Sequence, residues 1–323
     1  MKNLFDFATK ELSQDAFLRW FIANDYEDSG KKLLAKFINV DYKKIEIGQT
    51  WAQSENIDIT IDFKVDDVDH ILIIEDKVNT SQHDEQLIRY MKTVKKWNGW
   101  KSKHVDRPSH FIFYKPRILS EKDKEVIQKD NVINNCDWQW QVFDLNLIDD
   151  FFKDYKDSDN LIIRQYAEYI ESLFEKSNNK ELPIDNDILA WKSLFEKVVK
   201  PELQKDNNSY DVFVRETFYG YSYIKIIPKG SNENETPYLE IRSRDCLQNH
   251  IIGRILTYDV VGQEDKIEKI KARIGSESKF KKERYSKQIA STTKKKQRLE
   301  YHGKDDFIKV VKEIAEDYLT LMD

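Results

Sequence analysis

Two neighbouring stretches decide the fold: NIDITIDF at Asn56–Phe63 and HILIIEDKV at His70–Val78. In the first, Ile57, Ile59, Ile61 and Phe63 alternate with Asp58, Thr60 and Asp62, the period of two that a strand with one buried face requires. In the second, the run Ile71, Leu72, Ile73, Ile74 leaves no polar face, which predicts a central strand covered on both sides. The acidic run Asp66, Asp67, Val68, Asp69 lies between them and is read as the turn of a hairpin.

Working outward, helical and strand patterns alternate. Ser13 is read as the N-cap, with Asp15 in the first turn, of a helix carrying Phe17, Leu18, Phe21 and Ile22 on one face. A second helix is expected over 32–40 and a strand at KIEIG, 44–48. After the hairpin, Leu87, Met91, Val94 and Trp97 space a helix over 82–97, and HFIFY at His110–Tyr114 is a strand stopped by Pro116. A strand at 138–143 and closing helices at 145–152 and 161–174 complete the pattern. The expectation is α/β: a central mixed sheet flanked by helices.

The polar stretch KSNNKELP at Lys176–Pro183 is the best linker candidate, so domains are expected at 1–176 and 184–323. The second part reads as a smaller α+β domain. It has a helix at 188–199 ended by Pro201, β-rich runs at 211–218, 221–227 and 238–241, and a helix stopping at Gly275. Its last helix carries Phe307, Val311, Ile314, Tyr318 and Leu321 on one face. A chain of 323 residues agrees with two domains at about 150 residues each.

Composition excludes several classes. With 12% aromatic residues the chain can bury real cores despite 34% charged residues, which excludes a disordered chain. No run approaches the roughly 18 apolar residues of a membrane span, and the start MKNLFDFATK lacks a secretory h-region. Cys136 and Cys246 are too few for a disulfide framework or a four-cysteine zinc site. A soluble cytoplasmic protein is expected. The glycines form neither a dinucleotide fingerprint nor a P-loop, no G-x-S-x-G elbow occurs, and the six histidines show no zinc spacing. His110, inside an apolar strand, reads as a core or edge residue.

One constellation survives. Asp58 is on the polar face of the first hairpin strand, and Glu75 and Lys77, two apart on the next, share a face. Charged residues on a central strand are costly unless paired, liganded or near an opening. Magnesium takes oxygen ligands, commonly one or two carboxylates plus phosphate oxygens and waters. A nearby ammonium can hold a water or stabilise charge developing on a phosphodiester. The residue types suit metal-assisted phosphodiester hydrolysis. An acid-x-Lys pair by itself would equally serve as a surface ion pair.

The combination is more specific. Asp58 in IDIT, Glu75-Asp76-Lys77 in IIEDKV and the helix QLIRY at Gln86–Tyr90 resemble, in that order, the PD-(D/E)xK nuclease superfamily. Gln86 and Tyr90 are similar to the Q-x-x-x-Y element of its RecB-like branch. KELSQDAFLRW at 10–20 resembles the first-helix segment of bacterial members, in which an early Glu completes the metal site. Glu11 matches best and Asp15 is a rival. The proline that precedes the family's first aspartate is replaced by Ile57. Asp62 and Asp76 offer other carboxylates, but alternation points Asp76 away from Glu75, and Asp62 lies about 13 Å further along its strand than Asp58.

The resemblance covers about residues 4–115 and extends at most to 175. It implies a restriction-endonuclease-like fold and a nuclease using Mg²⁺ or Mn²⁺. Asp58, Glu75 and Glu11 would be the metal ligands, Lys77 would act on the water, and Gln86 and Tyr90 would hold substrate or the lysine-side network. It also implies nucleic acid as partner, DNA favoured over RNA, and a role in defence against foreign DNA, with a homo-oligomer or a defence-system protein as further partner. The rival is a non-catalytic binding or regulatory protein that retains the fold.

Charge adds a local feature. The window 279–298 holds nine Lys/Arg against Glu283 alone, in a chain of net charge −5. Lys281, Lys282, Arg284, Lys294, Lys295, Lys296 and Arg298 are therefore nucleic-acid-binding candidates. A solvated surface run is the alternative.

Overall fold

A computed structural model of the chain describes residues 3–8, 11–54, 56–77, 86–100, 107–117, 119, 121–133, 139–205, 209–217, 221–233, 236–246, 250–256, 264–274, 281–285, 288–291 and 299–322. The chain divides into two compact units, Met1–Glu175 and Lys176–Asp323.

The first unit is α/β. Helices α1 (Glu11–Asn24) and α2 (Ser29–Ile38) precede strands β1 (Ile45–Ser54), β2 (Ile57–Val65) and β3 (Val68–Asp76). Then come α3 (Gln86–Trp100), β4 (Ser109–Lys115), α4 (Glu121–Ile133), β5 (Trp140–Asp144), α5 (Leu145–Phe152) and α6 (Leu161–Ser177). The sheet runs β1-β2-β3-β4-β5, with β1, β2 and β3 antiparallel and β3, β4 and β5 parallel. This is the mixed sheet flanked by helices that the alternation of patterns predicts.

The hairpin register is Val65↔Val68, so the turn is only Asp66 and Asp67, and Val68 and Asp69 already belong to β3. Both turn residues have positive φ (48° and 67°), the geometry whose twist matches paired strands and which Asp tolerates better than most residues. Ile71, Leu72, Ile73 and Ile74 are all at most 1% exposed. At about 1.5–3 kcal/mol for each fully buried side chain, only a strand covered on both faces gains this much. One face packs under α3 and α4, through Ile71, Ile73, Leu87, Met91, Val94, Phe111, Phe113 and Ile127. The other meets α1, whose Phe17 and Phe21 join Phe152 and Tyr166 in an aromatic cluster.

Two glycines are fixed by close approach. A Cβ at Gly30 would stand 2.4 Å from the Ile22 carbonyl oxygen where α2 crosses α1. One at Gly48 would stand 2.8 Å from the Asp62 carbonyl oxygen, inside the irregularity of β1 between Ile47 and Thr50.

The second unit is α+β. α7 (Ile188–Leu194) leads through a π-helical turn at Phe195–Val199 into α8 (Lys200–Lys205). Strands β6 (Tyr210–Glu216), β7 (Ser222–Pro228) and β8 (Tyr238–Arg242) follow, then β9 (His250–Ile251), β10 (Gly253–Leu256) and α9 (Glu264–Arg273). β11 (Lys281–Tyr285), β12 (Gln288–Ser291), β13 (Leu299–Glu300) and α10 (Lys304–Met322) complete it. Six strands form an antiparallel sheet ordered β11-β12-β10-β8-β7-β6, and β13 pairs β9. Its core joins Trp191 and Phe195 to Ile224, Ile241, Phe307 and Val311.

Contrary to expectation, Ser13 does not cap α1, which has begun by Glu11. Pro201 does not end its helix but lies inside α8; the wider π turn before it accommodates a residue that lacks an N–H and crowds the carbonyl four residues back. The sequence reading missed α4, and it missed β11 and β12 inside the lysine-rich window.

Candidate active site

The site is built at one end of the β2–β3 hairpin. Continuing the register Ile59↔Ile74 by one step sets Asp58 opposite Glu75 on one face. Lys77, just past β3, has its backbone held by the Tyr114 carbonyl at 3.0 Å. Its ammonium lies 2.5 Å from Glu75 Oε1. Asp58 Oδ2 accepts a hydrogen bond from the Asp76 backbone N–H at 3.0 Å, so the strand carrying Glu75 also orients the first aspartate.

The electrostatics are unbalanced. Glu75 is fully buried. Burial, reinforced by the Asp58 carboxylate and opposed by the Lys77 ammonium, pushes its carboxyl up to about 8. Its Oε2 is buried with no hydrogen-bond partner among the described residues. Two carboxyl groups thus face one ammonium.

α3 supplies the next layer. Gln86 Nε2 donates to the Tyr90 hydroxyl at 2.7 Å, and that hydroxyl donates to the Asn56 carbonyl oxygen. Burial, with the nearby Glu75 carboxylate, raises the Tyr90 hydroxyl pKa, while the Gln86 bond acts the other way. The Gln86–Tyr90 pair therefore clamps the backbone two residues before Asp58.

The structure brings Asp58, Glu75, Lys77, Gln86 and Tyr90 together. The Glu11 backbone opens α1, but its side chain lies outside the described residues. Its rival Asp15 is 4% exposed. Asp76 points to the opposite side of the sheet, as alternation requires, and its Oδ1 accepts from the buried Gln14 amide of α1. Asp62 is ion-paired with Arg107 at 3.0 Å, away from the site. Lys281, Lys282 and Arg284 lie on β11, with their side chains outside the described residues. Lys294, Lys295, Lys296 and Arg298 lie wholly outside them.

Sequence reasoning missed Gln14 and the ion pair of Lys115 with Asp123. Gln14 carries no motif. Lys115 directly follows the apolar run Phe111–Tyr114 of β4, and a lysine closing a buried strand is a signal that could have been read.

A mixed sheet whose central hairpin converges an aspartate and an acid-x-lysine pair, with a helix packed over them, has the restriction-endonuclease-like architecture. A family model of the PD-(D/E)XK nuclease superfamily matches residues 3–168, about half of the chain, and the chain belongs to that superfamily. No curated protein and no solved structure matches it. Among the described residues no helix is long and apolar enough to cross a membrane.

The residues present fit a hard divalent cation. The donors are carboxylate oxygens, one of them buried and unsatisfied, and magnesium and manganese sites are commonly made of one or two carboxylates completed by waters and phosphate. Among the described residues no group of three or more His, Cys, Asp or Glu is placed to hold a metal ion. The donor set there is the pair Asp58 and Glu75.

Proposed function

We propose that the chain is a metal-dependent nuclease that hydrolyses phosphodiester bonds, with DNA the favoured substrate and defence against foreign DNA its setting. The observation that carries this reading is the surplus of acid at the hairpin end: Glu75 is buried against Asp58, with its Oε2 unsatisfied beside Lys77. Asp58 and Glu75, joined by Glu11, would hold Mg²⁺ or Mn²⁺. The ion would supply positive charge to the phosphate oxygens and acidify a bound water.

The chain's own groups do the rest. The Asp76 N–H holds the Asp58 carboxylate in the site. Tyr90, braced by Gln86, fixes the backbone at Asn56 and so the start of β2. Lys77, within reach of Glu75, orients the attacking water or stabilises charge gathering on the phosphate.

The test is a cleavage panel of single- and double-stranded DNA and RNA, with and without Mg²⁺ or Mn²⁺. The expected result is cleavage that needs the metal and favours DNA. Binding without cleavage under every metal would favour the rival reading, a binding protein on a nuclease scaffold.

A further inference from the structure

The catalytic face does not end at Lys77. In the parallel pairing of β3 with β4, Asp76 is aligned with Tyr114, so the next step puts Lys115 beside Lys77, one strand spacing of about 4.8 Å away and on the same face. The side chain of Lys115 is 8% exposed, hardly different from the 7% of Lys77. Its ammonium lies 2.6 Å from Asp123 Oδ2, and Asp123, in the first turn of α4, is fully buried. Arg117 follows two residues later, across Pro116, so its Cα is within about 7 Å of that of Lys115. Its Nε is buried and has no hydrogen-bond partner among the described residues.

Packing alone does not explain this arrangement. A buried ion pair is generally no more stabilising than an apolar pair of the same volume, so α4 could be seated on β4 without one. A buried guanidinium donor without an acceptor is destabilising until an acceptor arrives. The guanidinium fork matches phosphate oxygens better than any other side chain does. A polyanion approaching Asp58 and Glu75 also meets like charge, which Lys77 alone does not offset.

We propose that Lys115 and Arg117 extend the active site into a row of cations, Lys77–Lys115–Arg117, which takes a substrate phosphate next to the one attacked. Asp123 fixes the Lys115 ammonium in that row. The identity of the substrate rests on the nuclease reading; the presence of an anion site does not.

The test uses the full chain carrying Lys77→Ala, so that substrate survives, with labelled DNA oligonucleotides and fluorescence anisotropy at several salt concentrations. Arg117→Gln should weaken binding about tenfold and flatten the dependence of log K on log salt by about 0.7–0.9, the slope that one neutralised phosphate supplies. Lys115→Met/Asp123→Asn, which nearly keeps the volume and removes both charges, should also flatten the slope, and both variants should still gain melting temperature on addition of Mn²⁺, because the carboxylates that would hold the ion are untouched. Unchanged affinity and slope, or a parent protein that binds no nucleic acid, would overturn the proposal. A wild-type chain that cleaves nothing under any metal, together with a slope that falls in these variants, would keep the cation row and sink the nuclease reading.

Discussion

Each unit contains an almost fully buried glutamate, Glu75 in the first and Glu240 in the second, and their surroundings differ in one respect. Burial pushes both carboxyls up. Around Glu240 the strongest influences after burial are cations: Arg242, whose Nε donates to it, and then Arg254, itself paired with Asp245. Around Glu75 the strongest is another carboxylate, Asp58. A buried acid answered by arginines is a structural element that closes on itself. A buried acid crowded by a second acid is maintained at a cost, and such sites are where chemistry is concentrated.

The largest effect that can break this contrast is on cleavage. Glu75→Ala, Asp58→Ala and Lys77→Ala should each lower metal-dependent cleavage by at least about 100-fold, the scale of losing one group that acts in the transition state. Glu240→Gln should leave the rate unchanged. Steady-state cleavage with a folded-state check by circular dichroism measures both. A Lys77→Ala protein that cuts as fast as wild type would mean that the acid surplus at Glu75 is not catalytic.

The next effect runs the other way. Arg242→Met strands Glu240 and should cost about 3–5 kcal/mol of stability. Arg242→Met/Glu240→Leu should recover most of it. Denaturant titration gives both values. A single variant as stable as the parent would show that the Glu240 cluster is not closed by this pair.

Much of the first unit was legible because its signals are periodic. Alternation from Ile57 to Phe63 and the continuous apolar run from Ile71 to Ile74 specify a strand with one polar face and a strand buried on both, and with a turn between them they force the register that sets Asp58 against Glu75. What was not legible depends on residues far apart in sequence or on stretches whose charge hides the pattern. The Gln14–Asp76 bond spans α1 and β3, and the Lys115–Asp123 pair depends on α4, whose sequence EKDKEVIQKDNVI is too polar to show an apolar stripe. β11 was hidden because KKERY reads as charge rather than as strand.

A pair of half-buried titrating groups sharpens the contrast at a different place. His70 on β3 and His110 on β4 stack at 5.2 Å, with His70 Nδ1 2.9 Å from His110 Nε2. Burial lowers the pKa of both; His70 lowers that of His110 further, to about 4, while Asp69 pulls that of His70 back up. Phe63 lies against the pair. Since the folded values are below the ordinary 6.5, the unfolded chain binds more protons than the folded one as pH falls. The stability this neutral pair contributes is therefore complete above about pH 6.5 and is lost as pH falls toward about 4. His110→Gln should shrink the stability difference between pH 7.5 and pH 5 while leaving metal-dependent cleavage at pH 7.5 intact. If the variant keeps the full pH dependence, the acid loss has another source.

The smallest expected effect concerns the basic stretch of the second unit. Lys281, Lys282 and Arg284 lie on β11, the outermost strand of the six-stranded sheet. Lysines on an edge strand have a well-established purpose unconnected with ligands, since they discourage pairing with another chain. The same charges can track phosphates. The two roles differ in their response to salt. If the stretch tracks phosphates, Lys294→Gln/Lys295→Gln/Lys296→Gln should weaken binding about equally across sequences and flatten the log K–log salt slope by about 0.7–0.9 for each phosphate no longer neutralised. The cleavage rate at saturating substrate should change far less, because these lysines are outside the metal motif. If the charge only guards the edge, the slope should stay put, and Lys281→Gln/Lys282→Gln should instead increase self-association, read by light scattering at rising protein concentration. Anisotropy titrations in the Lys77→Ala background decide between them, and an unchanged slope would remove this stretch from the nucleic-acid surface.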